Sequence, residues 1–109
     1  MTSVTIFRSG SRISGFEAQG HTGYADAGED VVCSAVSALT QTALLGLGEY
    51  LKISFAQDIS DGYLYCMLSE GLDKESLGKA DVVLETMALG LGAIAETYPT
   101  FLRMNERQV

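Results

Sequence analysis

The chain reads as an α+β protein with element order β-β-α-β-β-α: a mostly antiparallel sheet with two main helices packed on it. Three observations lead there. Two stretches, 4–20 and 52–70, carry β-branched and aromatic residues on either side of short Gly-containing turns. Two longer stretches, 31–51 and 74–98, are apolar at helical spacing. No strand–helix–strand alternation runs through the chain, so a parallel doubly wound sheet is not indicated. With 109 residues and 47% hydrophobic composition, one domain spanning 1–109 is expected.

In the first hairpin, VTIFRS (4–9) is followed by Gly10-Ser11 as a two-residue turn and then by RISGFEAQG (12–20). Residues 20–30 carry Gly20, Gly23 and Gly28 among Asp26, Glu29 and Asp30 and show neither period, which is a loop signature. Asp30 is the expected N-cap of a helix over 31–51, apolar around most of its circumference and hence largely buried. In the second hairpin Ile53, Phe55 and Ile59 alternate with polar positions, and Ser60-Asp61-Gly62 supplies the turn. Tyr63, Tyr65 and Met67 then face away from Leu64, Cys66 and Leu68. Asp73 caps the helix over 74–98, Pro99 stops it, and 100–109 has the makings of a short strand. Both helices contain Leu-Gly-Leu-Gly, at 45–48 and 89–92. Each such Gly costs about 1 kcal/mol against Ala, so the pairs are either repaid by close packing or merely tolerated. If both helices share one sheet face, Tyr63, Tyr65 and Met67 mark the other, and a homodimer would cover it.

Composition narrows the function. A net charge of −7, from 14 acidic and 7 basic residues, argues against direct nucleic-acid binding and is compatible with a basic protein partner. No apolar run approaches the roughly 20 residues that span a bilayer, and no signal-peptide pattern opens the chain; the expected location is the cytoplasm, without membrane association. In that reducing compartment Cys33 and Cys66 are expected as thiols. Cys66, between Tyr65 and Met67, reads as a buried, inert strand residue. His21, Cys33 and Cys66 lack the close spacing of a zinc site, so neither metal nor cofactor is expected. "GHTGYADAG" lacks the Lys and the strand–helix context of a phosphate loop.

The chemistry that remains belongs to His21 and Cys33. A thiol in the first turn of a helix is favoured as thiolate by the free N–H groups and the dipole, and a nearby imidazolium adds to this. The same amides, near Val32, Cys33 and Ser34, suit an oxyanion. Asp26, Glu29 and Asp30 oppose thiolate formation, unless one orients His21. Spacing alone leaves the alternatives open that Cys33 is a small core residue and His21 a surface one.

Gly20-His21, a loop, and then Gly28-Glu29-Asp30-Val31-Val32-Cys33-Ser34-Ala35-Val36-Ser37 resemble the ribosomal-processing cysteine protease family Prp, with Thr22 where that family usually has Ala. The resemblance extends over nearly the whole chain. It implies a dimeric cysteine endopeptidase that removes a short N-terminal extension, after an aromatic pair, from ribosomal protein number twenty-seven of the large subunit. It implies Cys33 as nucleophile and His21 as base, with Gly20, Asp30 and Ser34 supporting substrate and oxyanion and the intervening loop moving as substrate enters. The competing readings are a non-catalytic dimeric binding module for a basic ribosomal protein, in which Cys33 only packs, and a thiol redox sensor, for which no resolving cysteine adjoins.

Overall fold

The computed structural model describes residues 1–20 and 27–109, the side chains of 27–29 excepted. The order is β1 (Thr2–Ser9), β2 (Arg12–Gln19), α1 (Ala27–Leu45) running on into a π-helical turn (Gly46–Tyr50), β3 (Phe55–Ser60), β4 (Tyr63–Leu68), α2 (Lys74–Thr97) and β5 (Leu102–Gln108). The sheet order is β3-β4-β2-β1-β5. Three of its pairings are antiparallel, and β5 lies parallel to β1. The α+β architecture expected from the sequence is the one observed, with the tail forming a full seven-residue strand rather than a short one.

Period-2 alternation puts Val4, Ile6, Phe16, Ala18, Leu64 and Cys66 on the face beneath the helices, where all are buried. A bulge between Phe7 and Arg8 leaves Ser14 without a partner on β1, so Arg8 pairs with Ile13. That one-residue slip turns Ile13 onto the core face with Arg8. Arg8 meets Glu85 of α2 at 3.0 and 3.1 Å and Glu106 of β5 at 2.7 Å, tying three elements together. Those two carboxylates hold its guanidinium pKa above the usual range. α2 buries Ala80, Leu84, Met87 and Leu91, a spacing of four, three and four along one stripe. The Asp73 carboxylate accepts the Ser76 N–H at 2.8 Å, the expected cap, and the helix ends two residues before Pro99.

Gly15 has a requirement no other residue meets. A Cβ there would fall deep inside the van der Waals envelope of the Cys66 carbonyl oxygen and 2.9 Å from Met67 Cα. The Phe7 ring, its partner across β1, packs against Tyr65 at 6.2 Å and lies beneath the Arg107 guanidinium at 5.3 Å.

Three expectations change, and the two readings of the paired glycines each hold in part. α1 begins at Ala27, so Asp30 is its fourth residue and not its N-cap. The helix is buried along one stripe only: Val32, Val36, Thr40, Ala43, Leu44 and Leu47 are covered, whereas Val31, Ser34, Ser37, Ala38, Gln41, Thr42 and Leu45 are exposed. Small residues made the outer face look apolar without giving it area to bury. Asp30–Tyr50 is long and apolar enough by length and composition to cross a membrane, contrary to the hydropathy reading, although its covered stripe serves this protein's own core. The paired glycines divide: Cβ atoms at Gly46, Gly48 and Gly90 would touch Val83, Phe55 and Leu39, the last at 3.2 Å, whereas Gly92 has nothing within 4 Å.

Candidate active site

The helices do not cover the whole sheet. Every residue of β3 from Ala56 to Ser60 is exposed, and between this bare edge and α1 lies a cleft of about 300 Å³. Its floor is sheet: Thr2, Ala18 and Leu64. One wall is α1, with Cys33, Val36, Ser37, Thr40 and Gln41. The other is the β3–β4 hairpin, from Ile59 through Asp61 to Tyr63. Gly20 sits at the end, its N–H donating to the Gly62 carbonyl at 2.7 Å and pinning β2 to that hairpin.

Cys33 is half-buried on the cleft wall, and its Sγ lies 2.9 Å from the Thr2 hydroxyl. The Thr40 hydroxyl, two turns further along, is buried but turns back onto the Val36 and Ser37 carbonyls at 2.8 and 3.3 Å. On the other face of the sheet, the Tyr63 hydroxyl donates to Glu17 at 2.6 Å, and this hydrogen bond to a carboxylate pushes its pKa up to about 12. Cys66 is fully buried in the sheet, and burial pushes its thiol up to about 12 as well. The two cysteines thus differ as the sequence suggested: one faces a cleft, the other is sealed and un-ionised at neutral pH.

The five predicted site residues do not all gather here. Cys33 and Gly20 line the cleft. Asp30 and Ser34 are exposed and belong to neither wall. His21 lies outside the described residues, as does the loop through 26. With α1 starting at Ala27, Cys33 is its seventh residue, in the second turn rather than the first. The Val32, Cys33 and Ser34 amides are therefore spent within the helix; the free ones belong to Ala27 through Glu29, a turn earlier. Cys33 still leans toward them, because side chains on a helix tilt toward its N-terminus. The sequence reading missed Thr2. Its only signal was its place two and four residues before Val4 and Ile6, on the face of β1 that turns to the helices. Among the described residues no three His, Cys, Asp or Glu side chains group as metal ligands.

Comparison with known proteins bears on this geometry. A family model described as "Cysteine protease Prp" matches residues 1–103. The ribosomal processing cysteine protease Prp of Bacillus subtilis (strain 168) is 34% identical over 107 residues, covering 95% of this chain and 96% of the relative. A crystal structure from Streptococcus mutans, 26% identical, superposes with a TM-score of 0.81 over 100% of this chain and 96% of that one. The essential ribosomal processing protease Prp from S. aureus, solved in complex with a substrate peptide, has the same fold with a TM-score of 0.86, at 20% identity over 98% of this chain and 100% of that one. A second structure of that enzyme carries a covalently linked product peptide.

Proposed function

This chain belongs to the cysteine protease Prp family, and on that premise we propose that it removes the N-terminal extension of a large-subunit ribosomal protein, number twenty-seven, with Cys33 as nucleophile and His21 as base. The observation that carries the assignment is the half-buried Cys33 thiol on the wall of an open cleft, next to a bare strand edge where an extended peptide has room. Cys66, the other thiol, is sealed from any substrate.

The Cys33 thiolate attacks the scissile carbonyl, and the carbonyl π electrons move onto oxygen. That oxyanion is directed to the free amides at the start of α1, toward which Cys33 leans. As the tetrahedral species collapses, the C–N bond breaks and the amine leaves with a proton from His21, giving a thioester on Cys33. Water, deprotonated by His21, then releases the acid and restores the thiol. Ile59, Leu64 and Val36 offer the cleft an apolar lining suited to an aromatic side chain before the cut, and the deficit of bases suits a basic substrate protein, chiefly through association rate.

The same proposal includes a homodimer in the cytoplasm. Two free thiols suit a reducing compartment. The apolar surface left for a second copy differs from the one expected: Tyr63, Tyr65 and Met67 are already half-covered within the subunit, while Val31, Leu45, Tyr50, Val82 and Leu89 stand exposed on the helical layer. Sedimentation equilibrium distinguishes a dimer from a monomer; a monomer at tens of micromolar rejects this part.

The test is incubation with a peptide carrying the extension and its aromatic pair, followed by mass. A single cut after the pair, absent in Cys33→Ala and strongly slowed in His21→Ala, is expected. Cleavage that survives Cys33→Ala rejects the assignment.

A further inference from the structure

We propose that Thr2 is a positioning residue for the nucleophile, its hydroxyl orienting the Cys33 sulfur and donating a hydrogen bond to the thiolate. The inference rests on the reading of Cys33 as nucleophile and adds to it a partner from the floor of the same cleft.

Thr2 Oγ1 is 2.9 Å from Sγ, well inside the range for a hydrogen bond involving sulfur. Between a neutral thiol and a hydroxyl either atom can donate. A thiolate has no proton, so once Cys33 ionises the Thr2 O–H must be the donor. Hydrogen bonding to the charged form favours that form.

The hydroxyl is held in place. Thr2 is 2% exposed. Its own N–H donates to the Phe101 carbonyl at 2.9 Å, and its Cα registers against Leu102 of β5, so its backbone is held along the β5 edge. A β-branched side chain on a strand is stiff at χ1, so the hydroxyl has little freedom to turn elsewhere. Packing does not call for that hydroxyl. The next residues on the same face of β1 are Val4 and Ile6, and Val has nearly the shape of Thr. A buried hydroxyl where an apolar isostere would fit points to a role for its oxygen, and among the described residues that oxygen's hydrogen-bond partner is Cys33.

Other ionisable groups stand near Cys33 in the cleft or in the chain. Asp61 and Tyr63 border the cleft from the hairpin, Asp30 lies three residues before Cys33 on α1, and His21 follows Gly20 in the chain. Replacing Thr2 by Val leaves all of them in place, so the difference between the two proteins isolates the hydroxyl.

The experiment measures the rate of Cys33 carboxamidomethylation by iodoacetamide from pH 5.5 to 9.5, in wild type, Thr2→Val and Thr2→Ser, together with kcat and KM on the extension peptide. Thr2→Val is expected to move the alkylation midpoint up by about one pH unit, a roughly tenfold slower reaction on the acid side. It should lower kcat by a similar factor with KM little changed. Thr2→Ser, which keeps the oxygen, is expected within about twofold of wild type. A folded Thr2→Val protein with the wild-type pH profile overturns the proposal. If Thr2→Val fails to fold, Thr2→Ala, measured at a temperature where its melting curve shows it native, takes its place under the same criteria. The two failures separate cleanly: cleavage by Cys33→Ala rejects the nucleophile, whereas an unshifted profile in Thr2→Val with Cys33→Ala inactive rejects only Thr2.

Discussion

Replacing Cys66 separates the two thiols by stability as well as by activity, and serine is the harsher of the two obvious substitutes. Cys66 is fully buried on β4, opposite Phe16 of β2. Cys66→Ala removes one sulfur atom, comparable to a methylene, and leaves a small void. Transfer alone sets the loss at about 0.8 kcal/mol, and the void raises it to about 1. Cys66→Ser loses the same contact and also buries a hydroxyl where the sulfur had none to satisfy, adding about 1–3 kcal/mol. For a domain of this length each kcal/mol is about 4–8 °C in Tm. The alanine variant should melt about 4–8 °C below wild type, and the serine variant at least about 8 °C below. Differential scanning calorimetry measures both. At a temperature where each is native, peptide cleavage per folded molecule should match wild type. A serine variant that melts with the alanine variant would mean the Cys66 site already offers a polar partner, and the account of its burial would be wrong. Loss of cleavage in a native Cys66→Ala protein would refute the division of roles between the thiols.

Further outcomes follow from the same contacts. The Cys66 thiol titrates near 9.0 in the ordinary state and about 12 when folded; between those values the unfolded chain has lost the proton and the folded one keeps it. Stability therefore falls as pH rises through that window, by about 1.4 kcal/mol per unit from this group, and urea titrations at pH 9.5 and 10.5 should show Cys66→Ala declining less than wild type by about that amount. Gly15→Ala should cost at least about 3 kcal/mol or prevent folding, because its Cβ meets strand backbone that has no room to yield; expression with thermal melting decides, and a Tm within a few degrees of wild type contradicts the register. Asp73→Ala should lower stability by about 1 kcal/mol in urea titration while leaving cleavage intact, since the cap lies outside the cleft.

Local chemistry made most of the fold legible. Gly10 and Gly62 adopt positive φ in their hairpin turns, as the two turn sequences implied. Asp73 and Pro99 bracket α2 because capping and proline sterics act over a few residues. What the sequence hid depends on longer range. The parallel seating of β5 beside β1 is a pairing between chain segments about a hundred residues apart, and no local pattern encodes it. The start of α1 was misplaced because Asp30 is a good cap by type, and residue type does not reveal that the helix already runs from Ala27. The cleft was legible at Cys33, a thiol before a run of small residues, whereas His21, the other rare group, lies outside the described residues. It was illegible at Thr2, since a threonine in a strand is ordinary until the tertiary fold sets a sulfur beside it.

The register of β5 also has a consequence for the order of assembly. Thr2 is anchored by the Phe101 carbonyl and lies beside Leu102, so the hydroxyl that faces the Cys33 sulfur is held by the last strand of the fold. The two hairpins close over short loops and can form early, whereas β1 and β5 meet only after a loop spanning almost the entire chain has closed, the slowest kind of contact to gain. On the ribosome the first strand would be made with its edge unoccupied and wait there until the final strand emerged. A nascent chain would then carry the cysteine long before it carried the geometry around it, which is assembled only once β5 has been made.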